Sequence, residues 1–322
     1  MEKSKDNISN EANFFANLPI GLMGGALGLV ILANAFASVD LKSVQFVLMN
    51  LGAFLLILGF LKLIAFPKRI WAEVKRPELY STYIAFPMTV MTVGKFYSEY
   101  NIQLGRILWY IGAGLDLFIV LSFLYMYAIK KPKLENVSPS WFLLLVGSVV
   151  IPASNFDALL VPYTRIVWLF CFVAYIIIIP IIIYRCLKLS LPKAIYPYYG
   201  ITSAPASLLT VGYLVVCKVN IQLLSCMVLV AITMTLFSYI KLPKVVADGF
   251  RPSFAGYTFG LAISCLCQFK VATYYEKLDY TQIALILRSL GYIELLIASI
   301  AIFAIVILSI INTIKPISNK TA

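Results

Sequence analysis

Long apolar runs, separated by short segments rich in proline, glycine and charged residues, divide the chain into ten stretches. A membrane-spanning helix needs about 20 predominantly apolar residues, and each run is long enough to form one. The predicted spans, numbered one to ten, are residues 19–38, 44–66, 79–97, 104–129, 139–160, 163–185, 195–217, 221–240, 253–273 and 282–313. The pattern therefore predicts an all-α polytopic membrane protein with ten transmembrane helices.

Five prolines open alternate apolar runs at a nearly constant spacing. They are Pro19, Pro77, Pro139, Pro197 and Pro252, separated by 58, 62, 58 and 55 residues. Proline is favoured in the first turn of a helix, and each interval is long enough for two spans. The repeat predicts five helical hairpins, each made of an odd-numbered span and the even-numbered span that follows it.

Charged residues distinguish the two sets of spans. The odd-numbered spans contain no Asp, Glu, Lys or Arg from their first residue to mid-membrane and beyond, whereas Lys62, Asp116, Arg288 and Glu294 fall in even-numbered spans. Burying such groups costs free energy unless they pair with each other or reach water. We expect Asp116 and Glu294 to pair with Lys62 or Arg288.

Three odd-numbered spans also carry an internal proline, namely Pro87, Pro152 and Pro205. An internal proline leaves a backbone carbonyl without its helical partner, which is tolerated at membrane depth where protein or a water-filled cavity covers it. Packing explains any single one, because proline is common in membrane helices. Their recurrence favours kinked helices around a shared polar axis, where the positive ends of broken half-helices attract an anion.

Several hydroxyl side chains lie near these kinks and are candidates to line a narrow, wet path. They are Thr89, Thr92, Ser154, Ser203, Ser207, Thr210 and Ser264. The alternative for each of them is a hydrogen bond to the backbone of its own helix. The sequence leaves both possibilities open.

The composition agrees with a bilayer location and predicts an orientation. The chain is 61% hydrophobic and 12% charged, with a mean hydropathy of +0.92. Apart from Lys62 and Arg288, 17 Lys and Arg residues lie on the side of the chain termini and 7 on the opposite side, so the positive-inside rule places both termini in the cytoplasm. We predict cytoplasmic tails at 1–17 and 315–322 around a membrane domain at 18–314.

The residues also argue against several other classes of function. The net charge of +12 is spread over short clusters without a nucleic-acid-binding motif, so we predict no nucleic-acid partner. The six cysteines lie within or at the ends of spans, histidine is absent, and neither HExxH nor an Asp-rich metal motif occurs. We therefore predict no metal, no cofactor and no enzymatic activity, while a membrane receptor or scaffold stays open.

Motifs in all five odd-numbered spans resemble one known family. LPIGLMGGALGL at 18–29, PMTVMTVGKFY in span three, PSWFLLLVGSVVIPAS in span five, YYGITSAPASLL in span seven and YTFGLAIS in span nine are similar to the bacterial tellurite-resistance TehA proteins. That family includes plant guard-cell slow anion channels and fungal dicarboxylate and sulfite transporters. The resemblance covers nearly the whole chain in order.

The resemblance implies a homotrimer in a bacterial inner (plasma) membrane, with a separate pore in each protomer. The odd-numbered helices would form an inner ring of five around the pore, and the even-numbered helices an outer ring. Phe259, followed by Gly260, matches the family's pore-occluding phenylalanine. Gly24, flanked by Gly21 and Gly28, matches the small wall beside it.

Two functions follow from the resemblance. The first is a passive channel for small anions such as chloride and nitrate, with a neutral, electropositive pore closed by Phe259. The alternative is a proton-coupled transporter or exporter of C4-dicarboxylates, tellurite or sulfite, which needs a titratable group coupled to the substrate path. Asp116 and Glu294 are the candidates for that group.

Overall fold

The computed structural model describes residues 21–130, 133–188 and 192–314, which form helices and connecting turns with no β-strand among them. In chain order the α-helices are α1 Gly21–Ala37, α2 Lys42–Ala65, α3 Pro67–Val74, α4 Pro77–Tyr80, α5 Ala85–Ser98, α6 Ile102–Phe123, α7 Ser140–Gly147, α8 Val150–Ala153, α9 Val161–Lys188, α10 Ala204–Val216, α11 Ile221–Ala247, α12 Ala255–Glu276 and α13 Thr281–Ile314. The predicted tails at 1–17 and 315–322, and Pro19, lie outside the described residues.

Short stretches of tighter or wider helix adjoin several of these α-helices. The 3₁₀ segments are Ser81–Ile84, Leu134–Asn136, Ala158–Leu160, Lys193–Ser203 and Pro252–Phe254, and a π-helical segment, Leu124–Ile129, extends α6. Two long helices begin with an asparagine cap: the side-chain oxygen of Asn101 accepts from the backbone of Gln103 and Leu104, and that of Asn220 accepts from Leu223. These bonds satisfy backbone donors that the first helical turn leaves free.

Within the described ranges, seven helical stretches are long and apolar enough to cross a membrane. They are Lys42–Ala65, Ile102–Ile129, Ala158–Arg185, Lys193–Val216, Ile221–Ala247, Pro252–Glu276 and Thr281–Thr313. The other three predicted spans correspond to shorter or interrupted helices: α1, the succession α4–3₁₀–α5, and the pair α7 and α8. The protein is therefore an all-helical membrane protein.

Burial divides the seven long stretches into two groups. Of the 18-residue apolar segment of each stretch, 83% is buried inside the protein in Lys193–Val216 and 94% in Pro252–Glu276. The buried share is 28% to 39% in the other five stretches. Helices α1, α5, α7 and α10 are also mostly buried. The exposed helices present rows of large apolar side chains, such as Phe118 and Leu285, which lipid can cover.

Helices adjacent in the chain pack against each other: α1 with α2, α5 with α6, α10 with α11, and α12 with α13. The buried helices also contact one another, and α12 packs against both α1 and α10. A single hydrophobic core runs through these contacts and includes Phe259 and Trp168. The core thus lies among the buried helices, and the exposed helices pack against them.

Candidate functional site

Two large cavities enter the buried helices. The smaller, about 500 Å³, is lined by Arg76, Glu78, Lys193 and Arg251 among other residues, and it reaches inward to Phe259. The larger, about 710 Å³, has a different set of charged side chains, Lys42, Lys95, Glu99, Lys270 and Lys277. The basic residues of the first lie on the side predicted to hold the chain termini, and those of the second on the opposite side.

Two helices line both cavities. On α1, Leu27 lines the smaller cavity and Ile31 lines the larger one. On α12, Phe259 lines the smaller cavity and Ile263 lines the larger one. Four residues of α-helix rise about 6 Å. The protein that separates the cavities along these helices is therefore about one helical turn thick, and Phe259, only 3% exposed, lies at its edge.

Glycines bring α1 and α12 close together beside this layer. A Cβ atom at Gly24 would lie 2.9 Å from the Cβ atom of Ala255, and one at Gly28 would lie 2.6 Å from that of Thr258. The Thr258 hydroxyl donates to the Gly24 carbonyl at 2.7 Å. The predicted glycines therefore allow direct contact between the backbones of two buried helices.

The two remaining glycines named from the sequence occupy different places. Gly260 follows Phe259 on α12, and a Cβ there would overlap the carbonyl oxygen of Gly200 and the hydroxyl of Ser203. Gly21 is the first residue of α1. Gly24 and Phe259 line the same cavity.

The three internal prolines lie at changes of helix type. Pro87 is in the first turn of α5, directly after the 3₁₀ segment Ser81–Ile84, and Pro205 is in the first turn of α10, after Lys193–Ser203. Pro152 lies in α8, which a turn at Ser148 and Val149 separates from α7. Proline is favoured in the first turn of a helix, where its fixed backbone angle fits the helical conformation.

The candidate hydroxyls are buried, and each donates its proton inside the protein. Thr89, Thr92, Ser154, Ser203, Ser207 and Thr210 donate to carbonyls three or four residues earlier, and Ser264 donates to Glu294. Thr92 and Ser154 line the larger cavity, while the other five line neither cavity. The alternative named above, bonding to the helix backbone, describes six of the seven in this structure.

The comparisons with known proteins agree with this architecture. Residues 17–314 match the family described as voltage-dependent anion channel (SLAC1). The chain belongs to this family. Two uncharacterized transporters of Methanocaldococcus jannaschii are similar to it: one is 31% identical over 185 residues, covering 51% of this chain and 54% of the relative. The other is 28% identical over 161 residues, covering 45% and 46%, so the chain spans about half the length of these relatives.

The buried acids of this SLAC1-family protein do not pair as the sequence suggested. Asp116 accepts a hydrogen bond from Ser148 at 2.5 Å, and Glu294 accepts one from Ser264 at 2.7 Å. Lys62 instead lies 3.4 Å from Glu73, and Arg288 lies 2.6 Å from Glu276. The expected pairing was wrong because Lys62 and Arg288 lie beside other carboxylates. The two acids instead accept from hydroxyls, those of Ser148 in the turn between α7 and α8 and of Ser264 on α12.

Sequence reasoning missed two cavity-lining residues of this family member, Lys95 and Lys270. Both were counted among the charges that orient the helices, yet they lie within α5 and α12 and line the larger cavity. Their position near the end of a buried span was the available signal.

Among the described residues, no group of three or more Cys, Asp or Glu is arranged to hold a metal ion.

Proposed function

We propose that the protein is a passive channel for small monovalent anions, such as chloride and nitrate, and that Phe259 closes its path. The observation that carries this proposal is the pair of cavities, which enter from opposite sides and are separated by about one helical turn beside Phe259. Membership of an anion channel family gives the class of substrate. An axis closed by so thin a layer needs only a small displacement to open.

The proposed architecture is ten transmembrane helices arranged as five hairpins, with the odd-numbered spans as an inner ring. Contacts between successive buried segments support a closed ring, since α1 contacts α5, α5 contacts α8, α8 contacts α10, α10 contacts α12 and α12 contacts α1. The membrane domain would comprise residues 18–314. The exposed apolar faces of the even-numbered spans would meet lipid or, in a homotrimer, neighbouring protomers.

Charge at both mouths supports selectivity for anions. The smaller cavity has three basic side chains and Glu78, and the larger has four lysines and Glu99. The layer between them, around Leu27, Ile31 and Phe259, is uncharged. Basic mouths raise the local concentration of anions, and an uncharged constriction does not hold them tightly, which conduction requires.

The test is the unitary anion current of purified protein in planar bilayers. Phe259→Ala should raise the conductance severalfold, because it removes the ring that closes the path. Phe269→Ala is the matched control: Phe269 is also buried on α12 but packs against Gly291 and Tyr292, away from both cavities. Equal currents in wild type and Phe259→Ala would contradict the proposed gate, and absence of anion current in all three proteins would contradict the channel.

A second candidate is proton-coupled transport of C4-dicarboxylates, tellurite or sulfite. The observation in its favour is that Asp116 and Glu294 are buried and each is hydrogen-bonded to a buried helix, to Ser148 and Ser264. Uptake into liposomes, with and without an inward proton gradient, separates the two functions. Accumulation of anion against its own gradient, abolished by Asp116→Asn or Glu294→Gln, would favour the transporter and reject the channel.

A further inference from the structure

Lys95 places an ammonium group inside the larger cavity. It lies in the last turn of α5 and is partly buried. Its Nζ donates to the backbone carbonyl of Ala153, at the end of α8, at a distance of 3.1 Å. This bond ties the side chain to a neighbouring buried helix and fixes the ammonium at the inner part of the cavity.

The hydrogen-bonding capacity of this ammonium is only partly used. An ammonium has three donors, and the bond to Ala153 takes one. Among residues 21–130, 133–188 and 192–314, no carboxylate lies within 4.0 Å of Lys95. Glu99 acts on it only from a greater distance, and Lys270 adds a second positive charge nearby. A partly buried cation that lines a cavity and has donors beyond the one used by Ala153 is a suitable ligand for an anion.

The neighbouring polar groups do not compete for that role. Thr92 and Ser154 line the same cavity, but their hydroxyl protons are donated to the carbonyls of Met88 and Val150. Lys42, Lys270 and Lys277 are exposed, so water screens them more strongly. Among the four lysines of this cavity, Lys95 is thus the partly buried one, and the Ala153 carbonyl holds its ammonium in place.

We propose that Lys95 is the primary ligand of a subsite that binds a small monovalent anion, such as chloride or nitrate, before it enters the constriction. The proposal rests on the proposed function in one respect, because it takes the larger cavity to be a mouth of the anion path. Beyond the proposed function, it names the residue that binds the anion and the side of the membrane on which the subsite lies. The exposed lysines of the cavity attract the anion, and Lys95 holds it.

The first experiment measures unitary current as a function of the chloride concentration on the side of the bilayer that the larger cavity faces, at constant ionic strength. Lys95→Met keeps the length of the side chain and removes its charge, so the half-saturating chloride concentration should rise about fivefold or more, given the strength of hydrogen bonds to charged groups. Lys95→Arg keeps the positive charge and should therefore keep the half-saturating chloride concentration close to the wild-type value. Lys218→Met is the matched control, because Lys218 is exposed and lies outside the cavity, and it should leave the value unchanged.

The second experiment measures binding without conduction, from the broadening of the chloride NMR signal by the purified full-length protein. Wild type and Lys95→Arg should broaden the signal, and Lys95→Met should not. Equal broadening by wild type and Lys95→Met, or none by wild type, would overturn the subsite. Broadening that depends on Lys95 in a protein without anion current would support the subsite and overturn the proposed channel, so the two failures are distinguishable.

Discussion

Single glycines determine how closely the buried helices approach one another. Gly28 meets Thr258, and Gly260 meets the backbone of Gly200, at distances that leave no room for a methyl group. Gly114, on the exposed helix α6, has no atom within 4 Å of the place where a Cβ would be, apart from its chain neighbours and the backbone of its own helix. The same residue type is therefore a packing requirement at two positions and a source of helix instability at the third.

We predict that Gly260→Ala destabilises the protein by about 1–3 kcal/mol, the usual cost of overpacking a core. The added methyl would meet a backbone carbonyl, which cannot rotate away as a flexible side chain can. Gly114→Ala should be neutral or stabilising by up to about 1 kcal/mol, since alanine is the better helix former. Unfolding of the purified protein in mixed detergent measures both changes, and a stabilised Gly260→Ala protein would show that the packing is wrong.

At the scale of secondary structure, α3 is an amphipathic helix at the edge of the membrane domain. Its side chains include Lys68, Arg69 and Trp71, and the indole of Trp71 is 62% exposed. Glu73 anchors the helix, because it accepts from Tyr83 at 2.6 Å and lies 3.4 Å from Lys62. An exposed tryptophan among basic residues is typical of a helix in the headgroup region.

We predict that lipid brominated near the headgroup quenches the fluorescence of Trp71 selectively. The other three tryptophans, Trp109, Trp141 and Trp168, are between 3% and 6% exposed, so lipid cannot reach them. In Trp71→Phe protein the quenching should be lost while most of the emission remains. Quenching that persists in Trp71→Phe would mean that α3 does not lie at the interface.

The apolar runs predicted the long helices well, because twenty consecutive apolar residues have few stable places outside a bilayer. The same reasoning missed α3, which is short and half polar and was taken as a connection. The sequence predicted a kink at each internal proline, but it could not show that Pro87 and Pro205 lie in the first turns of α-helices that follow 3₁₀ segments. That detail depends on how the preceding residues pack, which periodicity does not record.

The candidate site was less accessible to sequence reasoning than the fold. A hydroxyl in a membrane helix can face an ion path or donate to the backbone of its own helix. The residue type at Thr89 or Ser207 does not distinguish these two arrangements. The partners of Asp116 and Glu294 depend on the direction in which each side chain points from its helix. A rotation by a fraction of a turn changes that direction, and the sequence does not fix it. Lys95 was counted only among the charges that orient the helices, because the end of its span could not be located within one turn.

At the scale of the whole molecule, the distribution of basic residues predicts how the protein sits in the membrane. We expect Lys244 to face the cytoplasm and Lys218 to face the opposite side; both side chains are exposed. In a cysteine-free background, Lys218→Cys should react with an impermeant maleimide on intact cells. Lys244→Cys should react only after permeabilisation, and the reverse pattern would invert the orientation.

The thin partition beside Phe259 also bears on how voltage acts on the protein. In the proposed channel, water in both cavities would carry the potential of each bath inward, so most of the transmembrane voltage would fall across roughly 6 Å of protein. An elementary charge that crosses the full potential gains about 2.3 kcal/mol per 100 mV. An anion passing that single turn in the proposed channel would therefore gain most of this energy over a few ångströms, where the electric field would be steeper than in the surrounding bilayer.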